Sequence, residues 1–275
     1  DFGNLPSISN AEMIENSMPL LVERSEIRMD SGGAGKQRGG LGMWREVRLL
    51  DEEASYSVLS DRAVIPPYGI KGGGSAMPYK VSNTRGTEEI MFDTPGKVTG
   101  YPIRKNDVVV MRSAGGGSYG DPLERDPALV CADIEKGYVS QEKAQEQYGV
   151  ILNASGELNV EMTSSCREAL RAKRFHIPVR IDNALEYYTG KKGHRRLLTV
   201  ATEIAQKLGV ADDDMVEILG ENPAPLRAWI RINALASSDS VPLDDFATKV
   251  LGITESSVVW IRPLSTPTVP AGLAS

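Results

Sequence analysis

The sequence predicts an α+β fold. Residues 1–152 read as a mainly β, glycine-rich layered unit with a helical hairpin, and residues 153–275 as a small β-barrel-like domain with pseudo-twofold helix–strand repeats. Three observations support that expectation. Short β-prone runs separated by glycine clusters fill the first 120 residues. Two capped helical segments follow, at Asp126 and at Ser140. A helix–turn–strand pattern then occurs twice, at 201–218 and, shifted by 43 residues, at 244–261.

Taken in order, residues 20–29 (LLVERSEIRM) set Leu21, Ser25 and Ile27 roughly in alternation with charged positions, as in a half-buried strand. The glycine-dense stretch 31–42 comes next, then strands over 43–50 and 54–60 joined by the acidic turn Asp51-Glu52-Glu53. The loop Pro66-Pro67-Tyr68-Gly69 leads to a second glycine cluster, Gly72 to Gly74, and a strand over 105–113 enters a third, Gly115 to Gly120. Asp126 as N-cap and Pro127 in the first turn predict a helix of about ten residues ending near Gly137. Ser140 caps a second helix, QEKAQEQY, which Gly149 ends. Residues 153–165 are polar and read as a linker or exposed turn.

Each copy of the later pattern is a short amphipathic helix, a Leu-Gly-Val or Leu-Gly-Ile step, a polar turn and a strand. Gly209 and Gly252 stand where a helix end requires a left-handed residue, and Leu226–Ile232 is a further strand. Two such units can interlock because each leaves an apolar face for the other to cover. The alternative is coincidence between two ordinary helix–strand pairs.

Composition narrows the function. The 275 residues are 41% hydrophobic and carry 31 basic against 37 acidic side chains, a formal charge of −6. Nucleic-acid binding requires concentrated positive charge, so that class is excluded. Cys131 and Cys166 are too few for a disulfide framework and fit a reducing, cytoplasmic setting. No apolar run is long enough to span a membrane. The opening DFGNLP has neither Met nor a signal-peptide pattern, as expected of a processed chain, a split gene product or a truncated form.

Familiar catalytic motifs fail on chemistry. Gly35-Lys36 resembles the end of a phosphate loop, but Asp30 stands where the first glycine is needed and Gln37 where a hydroxyl must meet magnesium. Gly116-Gly117-Ser118-Tyr119-Gly120 fits G-x-S-x-G, yet Asp121-Pro122 follows where a helix should start, so Ser118 reads as a loop residue. His176 and His194 are widely spaced from each other and from the cysteines, which gives no metal-ligand pattern. The basic run around His194 reads as a solvated loop, able to meet an acidic partner or an anion. Segment 16–42 is the most unusual. Six glycines at 32, 33, 35, 39, 40 and 42 exceed what one turn needs, and they permit positive φ and close backbone approach. Two readings stay open: a rigid loop packed against a ligand or partner, or a structural loop inside a β core.

These residues resemble the carboxy-terminal third of the B-type subunit of the hydantoinase/oxoprolinase family. The resemblance is carried by Asn16, Pro19 and Leu20, Val22 to Glu26, Arg28 to Gly35, and Arg38 to Gly42. It continues through Gly72 to Gly74, Gly115 to Gly117, Tyr119 to Pro127 and Tyr148-Gly149-Val150. It covers about 150 residues; beyond them, the repeated halves loosely resemble double-psi barrels. The resemblance implies an ATP-dependent assembly with an A-type ATP-binding subunit and the remaining B-type portion, in which an oxygen is phosphorylated to make a leaving group. The substrate this resemblance implies is a small molecule, a cyclic amide (hydantoin, oxoproline or lactam) or a ketone that is carboxylated; a non-catalytic assembly role is the third alternative. ATP and a divalent metal belong to partner chains, with no cofactor bound by this chain alone and no metal ligand transferred to it. The site-lining or interface candidates are Asn16, Glu23, Arg24, Glu26, Arg28, Asp30, Ser31, Gly32, Gly33, Gly35, Arg38, Gly116, Gly117 and Asp121.

Overall fold

The computed structural model describes residues 8–184, 188–190 and 193–264. Helix α1 (Ala11–Ser17) precedes strands β1 (Leu20–Arg28), β2 (Gly42–Leu49), β3 (Glu53–Leu59), β4 (Lys80–Arg85), β5 (Glu88–Met91), β6 (Lys97–Arg104) and β7 (Val108–Arg112). Five of these strands make an antiparallel sheet in the order β1-β2-β7-β4-β5, and β3 pairs with β6 as a separate ribbon. Leu49, Val81 and Val109 of the sheet pack with Phe92 and with Ile103 of the ribbon in a shared core. Strands β2 and β3 follow each other across the acidic turn but do not pair; the chain leaves one sheet there and enters the other.

Strands β4, β5 and β6 and helix α1 have no counterpart among the predicted elements, and the 105–113 strand is shortened to β7 by a turn in which Asn106 takes φ 70. Strand β4 shows why it was hidden. Its sequence is KVSNTR, and Ser82 and Asn83 are fully buried as polar groups. Ser82 donates to Glu89 (2.7 Å) and the Asn83 amide donates to Asp107 (3.1 Å), so side-chain hydrogen bonds replace the apolar alternation that marks most strands.

A short 3₁₀ turn (Pro122–Glu124) leads to α2 (Pro127–Glu135) and α3 (Gln141–Tyr148). Asp126 and Ser140 cap these helices by accepting from Ala128 N and Lys143 N, and Gly149 ends α3 at φ 63. The expectation of a linker over 153–165 is corrected from residue 160 on. Asn159 accepts from Met162 N and starts α4 (Val160–Ala172). Arg167 on α4 donates to the Tyr148 and Arg125 carbonyls at 2.9 and 2.7 Å. A polar surface reads as a loop in sequence, but here it is the outer side of a helix held by its arginines.

The remaining elements are β8 (Phe175–Ile181), β9 (Tyr188–Gly190), β10 (Gly193–Arg195), β11 (Leu197–Val200), α5 (Thr202–Leu208), β12 (Met215–Leu219), β13 (Leu226–Ile232), β14 (Val241–Leu243), α6 (Asp245–Leu251) and β15 (Val258–Leu264). The basic segment around His194 lies partly outside the described residues, its histidine side chain included. Six strands form a sheet in the order β11-β13-β12-β15-β8-β14, and its outer strands β11 and β14 approach each other, nearly closing a barrel. Val216, Ile218, Ala228, Ile230, Val259 and Ile261 fill its interior with α5 and α6 packed on them. The alternating residues of β12 point the other way, which gives Glu217 its position against the first half of the chain. Among the described residues, no helix is long and apolar enough to cross a membrane.

Candidate functional site: a cleft between stacked glycine loops and the second sheet

Three glycine-rich segments, 30–42, 69–78 and 113–121, lie backbone against backbone. Gly33 N donates to Gly116 O (3.0 Å), Gly116 N to Gly40 O (2.8 Å), Gly74 N to Ala34 O (2.6 Å) and Ile70 N to Ser118 O (2.9 Å). Gln37 and Tyr119 exchange two such bonds. None of the six glycines between 32 and 42 uses a positive φ, which corrects one reason given for them; Asp30 (φ 61) and Lys71 (φ 50) take that conformation instead. Close approach is the reason that holds. An added Cβ at Gly33 would strike the Gly74 carbonyl, and one at Gly39 the Gly116 carbonyl.

Polar side chains lock the stack. Ser31, fully buried, donates to the Arg28 carbonyl and accepts from Gly42 N (2.8 Å). Ser118 donates to the Ala34 carbonyl (2.6 Å) with the Gly74 carbonyl at 3.0 Å, so its hydroxyl is committed to structure and not to nucleophilic attack. Asp30 accepts from Ser140 N (2.8 Å) while its own N–H donates to the Tyr138 carbonyl, tying the first loop to the start of α3. Behind the loops, Asp133 receives Arg38 (3.1 Å) and Arg125 (2.9 Å) in a buried triad. Asp121 caps the 3₁₀ turn and pairs with Arg174 at 2.7 Å.

The second sheet is fixed to these loops by one buried carboxylate. Glu217 is 1% exposed and stands directly opposite Arg227 on β13 and Arg262 on β15. One of its oxygens receives Arg227 (2.9 Å) and Ser75 (2.6 Å), the other Arg262 (2.7 Å). Arg227 also donates to the Pro66 carbonyl, and Arg262 to those of Gly72 (3.0 Å) and Gly73. Burial opposes ionisation of Glu217, but Arg262, Ser75 and Arg227 outweigh it and hold the carboxyl below its usual range.

Between the loops, α3, α4 and the second sheet lies a cleft of about 580 Å³. Arg28, Asp30, Gly32 and Lys80 line it from the first half, Lys143 and Glu146 from α3, and Trp260 and Arg262 from the second sheet. Met77, Pro78, Leu123 and Leu170 add apolar surface. Arg174 and Arg262 lie over the Trp260 ring at 4.4 and 5.0 Å. The volume and the mixed lining are those of a small-molecule pocket.

The sequence-derived candidates divide among four places. Arg28, Asp30 and Gly32 line the cleft. Ser31, Gly33, Gly35, Gly116, Gly117, Arg38 and Asp121 build the loop stack and its supports. Glu23, Arg24 and Glu26 are elsewhere, farther along β1 and outside the cleft. There Arg24 (4.4 Å) and Arg112 (4.3 Å) sandwich Trp44, and Glu23, at a bulge in β1, pairs with Arg48 at 2.6 Å. Asn16 is exposed on α1. Ser75, Glu217, Arg227, Trp260 and Arg262 escaped sequence reasoning. A glutamate centred in Met215-Val216-Glu217-Ile218-Leu219 was the available signal, because a charge inside an apolar strand calls for a buried partner. Among the described residues no group of three or more His, Cys, Asp or Glu side chains could hold a metal ion.

Comparison with known proteins places the first half of this architecture. Residues 3–122 match the family described as hydantoinase B/oxoprolinase. That segment is similar to the hydantoinase B family. A putative B-type subunit of a D-/L-hydantoinase from Pseudomonas sp. (strain NS671) is 33% identical over 157 residues, which are 57% of this chain and 26% of that protein. The acetophenone carboxylase delta subunit of Aromatoleum aromaticum is 30% identical over 199 residues, covering 61% of this chain and 28% of its own length. The crystal structure of ATP-dependent caprolactamase from Pseudomonas jessenii is 31% identical with a TM-score of 0.53, over 58% of this chain and 28% of that one. The chain thus spans about a quarter of the length of the curated relatives it matches. The stacked glycine loops lie in the hydantoinase B segment, whereas Glu217, Trp260 and Arg262 lie beyond residue 122.

Proposed function

We propose that this chain is a subunit or segment of a multi-subunit, ATP-dependent enzyme of the hydantoinase/oxoprolinase type, acting on a cyclic amide such as a hydantoin, oxoproline or a lactam. The single supporting observation is the hydantoinase B match over residues 3–122, reinforced by the 31% identity to an ATP-dependent caprolactamase. In this reading an A-type ATP-binding subunit and the remaining B-type portion complete the assembly in the cytoplasm, and ATP and a divalent metal sit on those chains. A ketone carboxylase is the second reading, favoured by the similarity to an acetophenone carboxylase delta subunit. Non-catalytic assembly is the third.

Residues 1–152 form the hydantoinase B-like unit in this proposal and residues 153–275 an accessory domain with pseudo-twofold halves. Support for the twofold comes from the pairing. Ile218 pairs with Ile261, its own equivalent 43 residues on, and α5 and α6 both end at left-handed glycines, Gly209 (φ 66) and Gly252 (φ 68).

Reconstitution tests the reading. The chain, added to an A-type subunit and the missing B-type portion, is expected to confer ATP hydrolysis coupled to opening of hydantoin, 5-oxoproline or caprolactam. Bicarbonate-dependent consumption of acetophenone would instead establish the carboxylase. ATP turnover and product formation that are the same with and without the chain would overturn both and leave assembly.

A further inference from the structure

The cleft between the loops and the second sheet holds more positive charge than it neutralises. Its acidic side chains are all engaged: Asp30 accepts from Ser140 N, Glu146 pairs with Lys143 at 2.7 Å, and Glu217 is shared by two arginines. Arg28 is different. Its Nη1 donates to the Pro78 and Ser113 carbonyls at 2.8 and 2.9 Å, which fixes the guanidinium at the cleft wall. Among the described residues its Nε and Nη2 have no acceptor, and no carboxylate lies within ion-pairing distance. Burial and the neighbouring Arg112 cation pull Arg28 below its ordinary value, as expected of a cation short of compensating charge. Lys80 lies on the same wall and has only a share of Glu89, which it meets at 3.4 Å while Arg112 meets it at 3.2 Å. Trp260 and Leu170 provide apolar surface.

We propose that this cleft binds a small organic carboxylate, its charged end at Arg28 and Lys80 and its apolar body against Trp260. A guanidinium with Nε and Nη2 free presents the parallel donor pair that a carboxylate accepts from. The cavity of about 580 Å³ suits a molecule of that size. The class also rests in part on the proposed function. Addition of water across a cyclic amide C–N bond leaves a carboxylate and a freed nitrogen (an amine from a lactam, a ureido group from a hydantoin), and carbon–carbon bond formation between bicarbonate-derived CO₂ and a ketone enolate leaves a keto carboxylate. Either reaction therefore ends in the group this cleft accepts. Because Trp260 and Leu170 lie outside the hydantoinase B match, the site is a joint product of both parts of the chain.

Calorimetric titration of the 275-residue chain, without nucleotide or partners, tests the proposal with hexanoate and its neutral counterpart hexanamide. Hexanoate is expected to bind saturably, at least about tenfold more tightly than hexanamide, and more weakly as salt is raised. Arg28→Met is expected to reduce hexanoate affinity by at least about tenfold, and Lys80→Met by about threefold. Should Arg28→Met fail to fold, as judged by its thermal melt, Lys80→Met decides alone. Absence of hexanoate binding, equal binding of the two probes, or unchanged affinity in the folded variants would overturn the site. Since no turnover is measured, this outcome is independent of the reconstitution that tests the enzyme reading.

Discussion

The two halves of the molecule achieve rigidity by opposite means. In the glycine loops, main chain packs on main chain: Gly33 against Gly74 and Gly39 against Gly116, with hydrogen bonds of 2.6–3.0 Å between segments distant in sequence. In the second sheet, aliphatic side chains such as Val216, Ile218, Ile230 and Ile261 fill the interior at 0–1% exposure. A side-chain core repacks around small changes at modest cost, whereas a carbonyl oxygen held in a hydrogen-bonded stack has nowhere to go. The half with less apolar material is therefore the less tolerant of an added atom.

The largest expected effect lies where the two halves meet. Glu217→Gln leaves Arg227 and Arg262 facing each other without their shared anion, and unfolding free energy should fall by about 3–5 kcal/mol in urea titrations. A loss below about 1 kcal/mol would mean that the loop carbonyls alone satisfy both arginines. Next comes Gly39→Ala, whose methyl group meets the Gly116 carbonyl and should cost about 1–3 kcal/mol or more. Acid should loosen the five-stranded sheet. Hydrogen bonds from Arg85, aided by Arg104 N and Asn83, hold Asp107 at about 2, below its unfolded value. A depressed carboxylate stabilises fully above the ordinary range near 3.9 and loses that contribution as pH falls toward 2, so the urea midpoint should drop across that window. Gly40→Ala is the smallest: nothing lies within 4 Å of its added methyl, and the change should stay within about 0.5 kcal/mol. If Gly39→Ala and Gly40→Ala proved alike, the contrast between the halves would fail.

Much of this was legible before folding was considered. Asp126, Ser140, Gly149, Gly209 and Gly252 announced helix ends because capping is a local act. The glycines at 32–42 announced crowding, yet not its kind: positive φ was one reason offered, and none of them uses it, whereas close approach does hold there. Strand β4 was lost because Ser82 and Asn83 are buried through hydrogen bonds, and α4 because its polar side chains fit a linker equally well. Among site residues, Arg28, Asp30 and Gly32 were found, while Arg24 accompanied them in sequence but lies farther along β1, over Trp44 and outside the cleft. Arg227 and Arg262 were out of reach, since each lies on a different strand from Glu217 and only the pairing registers bring the three together.

The two arginines that flank Glu217 grip carbonyls of Pro66, Gly72 and Gly73, groups that every amino acid possesses. Apart from the Ser75 hydroxyl on Glu217, adhesion between the parts thereby follows the path the loops trace and not their lettering. A relative could redecorate the residues near the cleft, altering what it admits, without renegotiating how its walls are held together.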